Sequence, residues 1–153
     1  MNNYIQPTRE QFEATLGDGW QLLDLPGTRE LVYGKRVDRG GQALSVRVYT
    51  SLEPDGLGRE CGKDAIRVEV WLRRPATFEK RLVRLGGSKR VNRVPGWQER
   101  LKERIAKWDT HLGPQCPSCG LPCVERKRKQ PNSNPFWGCS GFPVCRFTAA
   151  KKD

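Results

Sequence analysis

Apolar and polar residues alternate along two stretches of the chain, residues 44–52 and residues 65–73. Because successive side chains of a strand point to opposite faces of a sheet, this alternation predicts two half-buried β-strands. Further strands are predicted at residues 20–25 and 31–37, and the Asp-Arg-Gly-Gly stretch after the second of these predicts a hairpin turn. The pattern therefore predicts an antiparallel β-sheet.

Helices are predicted on either side of these strands. The first covers residues 8–16, where Thr8 and Gln11 form the pattern of a capping box and Phe12 lies four residues before Leu16. The second follows Pro95 and carries one apolar stripe, made of Trp97, Leu101, Ile105, Trp108 and Leu112. Between the strands and this helix, the sequence predicts a short strand at residues 81–85 and a basic, glycine-rich loop at residues 86–96.

Four cysteines near the end of the chain fall into two close pairs, Cys116 with Cys119 and Cys139 with Cys145. Two residues separate the first pair and five separate the second, and nearby glycine and proline favour turns that bring two thiolates to one metal ion. The residues between the pairs are numerous enough for a β-hairpin. The spacing therefore predicts a zinc ribbon, in which the four cysteines hold one structural Zn²⁺.

The Gly113-Pro114 dipeptide predicts a boundary before this ribbon. Residues 1–113 are expected to form an α+β domain, which is an antiparallel β-sheet with flanking helices. Residues 114–153 are expected to form the small zinc ribbon. The predicted fold class of the whole chain is therefore α+β.

Disulfides are the alternative explanation for six cysteines in a chain of 153 residues. The first twelve residues lack the apolar core of a signal peptide, so we expect a reducing, cytoplasmic location, with the nucleoid as the site in a bacterial or phage setting. A reducing location favours metal binding by the cysteines over disulfide formation. Cys61 and Cys123 are predicted to be ordinary thiols, and His111 is not required because four cysteines complete the metal's shell.

The sequences CPSCG at residues 116–120 and FWGCSGFPVC at residues 136–145 resemble the C-terminal zinc ribbons of type IA DNA topoisomerases, which bind single-stranded DNA. The resemblance covers about residues 114–150. It implies the same four cysteines as ligands and a strand-facing surface formed by Phe136, Trp137, Phe142 and Arg146. Two positions depart from the family pattern, since Cys123 replaces a methionine or similar apolar residue and Phe142 replaces a common tyrosine. The chain is too short for a topoisomerase core, and we expect no topoisomerase activity.

Charge is distributed unevenly along the chain. Residues 1–70 carry 9 Lys and Arg against 11 Asp and Glu, a net −2, whereas residues 71–153 carry 19 against 6, a net +13. A strongly basic half predicts a polyanionic partner, and its aromatic residues favour nucleic acid over a lipid surface. No apolar run reaches the roughly 18 residues of a membrane span, so we expect a soluble protein.

Cations and aromatic rings recur at positions predicted to face outward. Pairing of the two alternating strands would collect five of them on one sheet face, namely Arg47, Tyr49, Arg67, Trp71 and Arg73. Further cations are Lys89, Arg90 and Arg93 in the predicted loop and Arg126, Lys127, Arg128 and Lys129 in the ribbon hairpin. Rings can stack on bases while cations neutralise phosphates. The alternative for Trp71 is a packed position beneath a helix that covers this face.

Together these features predict a zinc-containing protein that is not an enzyme and that binds single-stranded DNA in replication, recombination or repair, strand annealing included. RNA binding or an adaptor role on a replication machine is the first alternative, because stacking and phosphate contacts serve both nucleic acids. A metal-dependent nuclease using Asp64 and Glu69 is the second, although side chains five positions apart point to opposite faces of a strand. The sequence leaves open whether the chain forms a homo-oligomer.

Overall fold

The computed structural model describes residues 5–53, 65–86, 88–129, 132 and 134–151. The elements formed by these residues are α1 (Arg9–Leu16), β1 (Gln21–Leu22), β2 (Val32–Arg39), β3 (Gln42–Tyr49), β4 (Ala65–Arg73), β5 (Leu82–Arg84), β6 (Lys89–Asn92), α2 (Trp97–Ala106), β7 (Leu112–Gln115), β8 (Pro122–Arg126), β9 (Phe136–Cys139) and β10 (Thr148–Ala150). The strands form two antiparallel sheets, the N-terminal sheet (β1–β6) and the C-terminal sheet (β7–β10). This mostly antiparallel architecture with two described helices fits the α+β class in broad outline. Neither described helix has the length and apolar character needed to cross a membrane.

The hairpin of β2 and β3 lies at the centre of the N-terminal sheet. The two strands pair along their full length, and β4 pairs with the other edge of β3. Gly40 and Gly41 join the hairpin at φ 58° and 80°, which is the two-residue turn whose twist matches that of the strands. The predicted hairpin and both alternating strands are therefore confirmed.

The second edge of β4 is paired by two short strands in succession. β6 pairs with Ala65 to Val68, and β5 pairs with Trp71 to Arg73. The prediction of a loop at residues 86–96 is therefore wrong for β6. Backbone N–H and C=O groups along β4 need partners, and the buried side chain of Val91 anchors the segment that supplies them. A single apolar residue among basic and polar neighbours showed no alternation from which a strand could be predicted.

The helices cover one half of the inner face of the N-terminal sheet. α1 begins with the predicted capping box, in which the N–H of Gln11 donates to the Thr8 hydroxyl at 3.2 Å and the N–H of Thr8 donates to the Gln11 side chain at 2.9 Å. Phe12 of α1 and Trp97 of α2 are fully buried, with ring centroids 4.8 Å apart. They form a hydrophobic core with Leu101 of α2 and with inward-facing residues of β3 and β4, namely Val46, Val48, Ile66 and Val68.

α2 is shorter than its apolar stripe predicts. The helix ends at Ala106, Trp108 is half-buried in the turn that follows, and Leu112 already belongs to β7. Leu112 is nevertheless buried, in a second hydrophobic cluster. The apolar stripe therefore predicted the burial of these residues correctly. The helix, however, ends at Ala106 and does not extend to Leu112.

The C-terminal sheet covers the other half of the same inner face. One hydrophobic cluster joins the two sheets, and it includes Leu44, Val70, Leu72, Phe78, Leu85, Leu112, Leu121, Cys123 and Val124. A hydrogen bond from Arg39 to the carbonyl of Gly113 at 2.9 Å crosses the same interface. The boundary predicted between residues 113 and 114 falls inside β7, and the division of the chain into two domains stays a prediction.

Candidate metal centre and nucleic-acid interface

The four cysteines predicted as metal ligands lie together at one end of the C-terminal sheet. Cys116 and Cys119 lie between β7 and β8, Cys139 ends β9, and Cys145 precedes β10. The Cys116 and Cys145 sulfur atoms are 3.6 Å apart, those of Cys119 and Cys139 are 3.3 Å apart, and all four lie within 4.8 Å of one another. A disulfide bond is about 2.05 Å long, so these cysteines are free thiols. Each short distance joins one cysteine of the first pair to one of the second, and both pairs therefore converge on one point.

Backbone N–H groups in both turns favour the thiolate form of the cysteines. The N–H of Gly141 donates to the sulfur of Cys139 at 3.2 Å. The N–H groups of Ser118 and Cys119 act to lower the pKa of Cys116. Such hydrogen bonds stabilise a thiolate relative to a thiol. The turns therefore prepare the sulfur atoms for a positively charged partner.

Burial opposes ionisation of the same thiols. It raises the pKa of Cys119 and of Cys139. It also opposes ionisation of Cys116, but there the N–H donors and the neighbouring sulfur atoms outweigh burial and lower the pKa to about 7. A metal ion would offset the cost of burying several thiolates, since a coordinating thiol is deprotonated.

The distances between the sulfur atoms fit a four-coordinate metal ion. Thiolates at about 2.3 Å from a tetrahedral Zn²⁺ lie about 3.8 Å from one another. Two of the sulfur separations are 3.3 and 3.6 Å and none exceeds 4.8 Å, so the separations are close to that value. Thiolate sets of this kind suit Zn²⁺ and iron–sulfur clusters. The four cysteines can therefore hold a soft metal ion.

Two other candidate ligands lie outside the cluster, as predicted. Cys123 is buried in the hydrophobic cluster between the sheets and does not join the four sulfur atoms. His111 places its Nε2 2.7 Å from the carbonyl oxygen of Leu85, and burial lowers the pKa of its imidazole. Cys61, the remaining cysteine predicted to be an ordinary thiol, lies outside the described residues.

Several residues predicted to contact nucleic acid meet on one face of the C-terminal sheet. Phe142 is 54% exposed, and the guanidinium groups of Arg126 and Arg146 lie 5.6 and 5.8 Å from its ring centroid. The guanidinium group of Arg128 lies 5.4 Å from the ring centroid of Phe136. A cleft of about 230 Å³ opens at this face, and we call it the aromatic cleft after four of its lining residues, Arg126, Phe136, Phe142 and Arg146. Flat rings and cations therefore share one concave surface.

Trp137 is separated from this cleft because adjacent residues of a strand point to opposite faces. Its ring packs against Gly113, where an added Cβ would lie 2.5 Å from the ring. The amine of Lys151 lies 5.2 Å from its centroid, and Trp137 also contacts the hydrophobic cluster between the sheets. The strand-facing position that the family resemblance implies for Trp137 is therefore not shared with Phe136 and Phe142.

The outer face of the N-terminal sheet carries the predicted mixture of cations and rings, and both described helices pack on the opposite face. The guanidinium group of Arg47 lies 4.6 Å from the Trp71 ring centroid, and that of Arg67 lies 5.1 Å from the Tyr49 ring centroid. Arg47 is only 8% exposed, while Arg73 at the end of β4 is exposed. Four of the five predicted contacts on this face are therefore paired with one another.

Two acidic residues, Glu30 and Glu69, complete this network. Glu30 forms an ion pair with Arg67 at 2.6 Å. Glu69 accepts a hydrogen bond from the indole N–H of Trp71 at 3.1 Å and lies 3.4 Å from the guanidinium group of Arg84. Glu30 therefore already neutralises Arg67, which was predicted to neutralise a phosphate. Glu30 lies 37 residues from Arg67, and no local sequence pattern links them.

The remaining basic candidates differ in their accessibility. Lys127 and Lys129 are exposed beyond β8, and Arg90 is exposed on β6. Lys89 donates a hydrogen bond of 3.0 Å to a backbone carbonyl beyond the end of α2, and burial lowers the pKa of its amine. Arg93 is 1% exposed, so it is not available to a nucleic acid. The cations predicted in one loop therefore do not form one surface.

The fold and the site define a protein of two packed antiparallel sheets with a four-cysteine cluster that can hold a metal ion. Comparisons with models of known protein families, with curated proteins and with solved structures found no match. Function is therefore inferred from the chemistry of the site.

Proposed function

We propose that this protein binds single-stranded DNA through the aromatic cleft, next to a zinc ribbon similar to those of type IA topoisomerases. The observation that carries the proposal is the setting of Phe142, a large ring that is 54% exposed and lies within 6 Å of two guanidinium groups. Such a ring offers a surface on which a base can stack, and the guanidinium groups lie where they can contact the adjoining phosphates. A second ring, Phe136, lines the same cleft.

The physical basis of the proposed preference is access to the faces of the bases. Stacking of a base on an aromatic side chain contributes about 1–3 kcal/mol and depends little on sequence. Bases of a duplex are already stacked, so a ring reaches their faces only after an unstacking cost of a few kcal/mol. Phosphate contacts add affinity for either form of DNA. The preference for single strands would therefore come from the rings.

Zn²⁺ has a structural role in this proposal. Four cysteine ligands would fill the tetrahedral shell, which is the closed arrangement of structural zinc sites. Phe142 lies between two of these ligands in the sequence, three residues after Cys139 and three residues before Cys145. The metal would therefore hold both ends of the segment that carries the exposed ring.

We place this activity in DNA replication, recombination or repair, strand annealing included, where single strands are exposed and a binder need not read their sequence. RNA binding or an adaptor role would use the same contacts, and the binding experiment below separates the two nucleic acids. The metal-dependent nuclease has less support. Glu69 is engaged by Trp71 and Arg84, and Asp64 lies outside the described residues.

Binding measurements with a single-stranded DNA, its duplex and an RNA of the same sequence test the proposal, each at two salt concentrations. We expect the tightest binding to single-stranded DNA, with an affinity that falls steeply as salt rises because counterions are released from neutralised phosphates. Equal affinity for single strand and duplex would contradict stacking. Tighter binding to the RNA than to the DNA would show that the protein is an RNA-binding protein.

A further inference from the structure

A second groove lies where the β5 edge of the N-terminal sheet meets the C-terminal sheet, next to the aromatic cleft. Its volume is about 660 Å³, and it is lined from the N-terminal sheet by Trp71, Val83 and Arg84 and from the C-terminal sheet by Val124, Glu125 and Arg126. Arg126 and Phe142 line both this groove and the aromatic cleft. The two concave surfaces are therefore adjacent, and we call the second one the inter-sheet groove.

The inter-sheet groove is basic. Its lining cations are Arg74, Lys80, Arg84 and Arg126, and Glu125 is the single acidic residue among the described lining residues. Arg84 is already paired with Glu69. Glu125 forms an ion pair with Lys151, so its charge is already offset. Lys80 and Arg126 are exposed to solvent. An elongated anion therefore matches the charge of the groove.

Arg74 shows how one of these cations is held in place. Its guanidinium group donates to the carbonyl oxygens of Lys80 and Ser140, and it lies 4.7 Å from the ring centroid of Phe78. These contacts join the segment after β4 to the segment after β9. Arg74 therefore holds the two walls of the groove in a fixed relative position. It also holds the backbone of Lys80 in place.

Aromatic rings also lie at both walls of the groove. Trp71 contributes from the N-terminal sheet and Phe142 from the C-terminal sheet. Arg47 lies over one face of the Trp71 ring, which leaves the rest of that ring to the groove. Rings and cations thus occur together in the groove, which matches the bases and phosphates of a single strand.

We infer that the bound strand continues from the aromatic cleft into the inter-sheet groove, where Lys80 contacts a phosphate of the strand that Phe142 and Arg126 hold. This inference rests on the proposed function, and it makes both sheets part of one binding surface. In this inference the N-terminal sheet contacts the strand through Lys80, which lies between β4 and β5. The sequence predicts that the sheet contacts the strand through cations of β3 and β4.

Replacement of Lys80 by alanine tests the inference. Each phosphate contact of a single strand contributes about 0.7 to the slope of log K against log salt. We therefore expect the slope to fall by about 0.7 and the affinity to fall about fivefold at roughly 0.1 M salt. The loss should appear with an oligonucleotide of about 12 nucleotides and be absent with one of about 4, which would fill the aromatic cleft alone.

Two further variants distinguish a failure of this inference from a failure of the proposed function. Lys102→Ala on α2 removes the same charge from an exposed side chain outside the groove, and we expect it to bind as the unchanged protein does. Arg146→Ala reports on the aromatic cleft alone, because Arg146 lines the cleft and does not line the groove. If Lys80→Ala matches Lys102→Ala while Arg146→Ala weakens binding, the inference is wrong and the proposed function stands. If the unchanged protein does not bind a single strand, or Arg146→Ala has no effect, the proposed function fails and the inference fails with it.

Discussion

Phe142 and Trp137 both lie near the four-cysteine cluster, but their rings have different surroundings. Trp137 packs against Gly113 and contacts the hydrophobic cluster between the sheets. Phe142 is exposed beside Arg126 and Arg146. Because the Trp137 ring is half-buried against other residues and the Phe142 ring faces solvent, we expect their replacements to change different measured quantities.

Phe142→Ala should weaken binding to single-stranded DNA by about 1–3 kcal/mol, because a base loses its stacking partner. Duplex binding and the melting temperature should change little, since neither depends on an exposed ring. Fluorescence anisotropy titrations with both forms of DNA measure the effect. Val144→Ala is the matched control, because Val144 is apolar and 73% exposed two residues away but has no ring. Equal losses on both forms of DNA would contradict a stacking role for Phe142.

Trp137→Ala should instead lower the free energy of unfolding, by roughly 2 kcal/mol, because it leaves a partly filled cavity beside Gly113. Urea denaturation followed by circular dichroism measures this change. A variant that keeps its full stability but loses single-strand binding would return Trp137 to the strand-facing role that the family resemblance implies.

Cys139→Ser should abolish stoichiometric zinc binding, because a hydroxyl is a much poorer zinc ligand than a thiolate and three thiolates remain. Elemental analysis of the purified protein measures the metal content, which we expect to be about one Zn²⁺ per chain before the change. Cys123→Ala is the control, since Cys123 is buried nearby and lies outside the four-sulfur cluster. Full zinc retention in Cys139→Ser would exclude the proposed ligand set.

At the scale of single elements, the end of β8 concentrates exposed positive charge on the C-terminal sheet. Arg126 ends β8, and Lys127, Arg128 and Lys129 follow it in exposed positions. Arg126 and Arg128 also lie close to the rings of Phe142 and Phe136, respectively. We therefore expect this segment to combine phosphate contacts with the positioning of the two rings.

Replacing Arg126 and Arg128 together by alanine should reduce the salt slope of single-strand binding by about 1.4, since two phosphate contacts are lost. Binding to duplex DNA should weaken as well, which distinguishes this variant from Phe142→Ala. Titrations at several salt concentrations measure both effects. A double variant of Lys102 and Lys107 removes the same charge from the region of α2, and a similar slope change there would show that only net charge matters.

For the whole molecule, the shared hydrophobic cluster is the feature with the largest consequence. Leu44, Val70 and Leu72 of the N-terminal sheet pack in the same cluster as Cys116 and Cys139 of the four-cysteine site. A metal ion bound there would stabilise side chains that both sheets bury. The two sheets are therefore expected to lose stability together when the metal is removed.

Removal of the metal by a chelator should accelerate amide hydrogen exchange in β3 and β4 as well as in β7–β10. The reason is that a loosened C-terminal sheet uncovers half of the inner face of the N-terminal sheet. Hydrogen exchange followed by mass spectrometry measures this for each strand. Faster exchange confined to residues 114–150 would support two independent domains with a boundary at residues 113 and 114.

Local features of the sequence were enough to predict the parts of this protein whose causes are local. Alternation over residues 65–73 predicted β4, and the Thr8–Gln11 pair predicted the start of α1. The spacing of Cys116, Cys119, Cys139 and Cys145 predicted the cluster that can hold a metal ion. In each case the signal lies within a few residues and reflects the geometry of one strand, one helix turn or one tight loop.

Tertiary packing decided which predicted side chains remain available to a partner. Arg67 is neutralised by Glu30, 37 residues away, and Arg47 lies over the ring of Trp71 on the neighbouring strand. Lys80 lies at a groove because the C-terminal sheet packs against the N-terminal one. These relations depend on strand register and on the contact between the sheets. The alternation of apolar and polar residues predicted that Arg47 and Trp71 share a sheet face, but it did not predict the contact between their side chains, the ion pair of Arg67 with Glu30 or the position of Lys80, because these depend on residues distant along the chain.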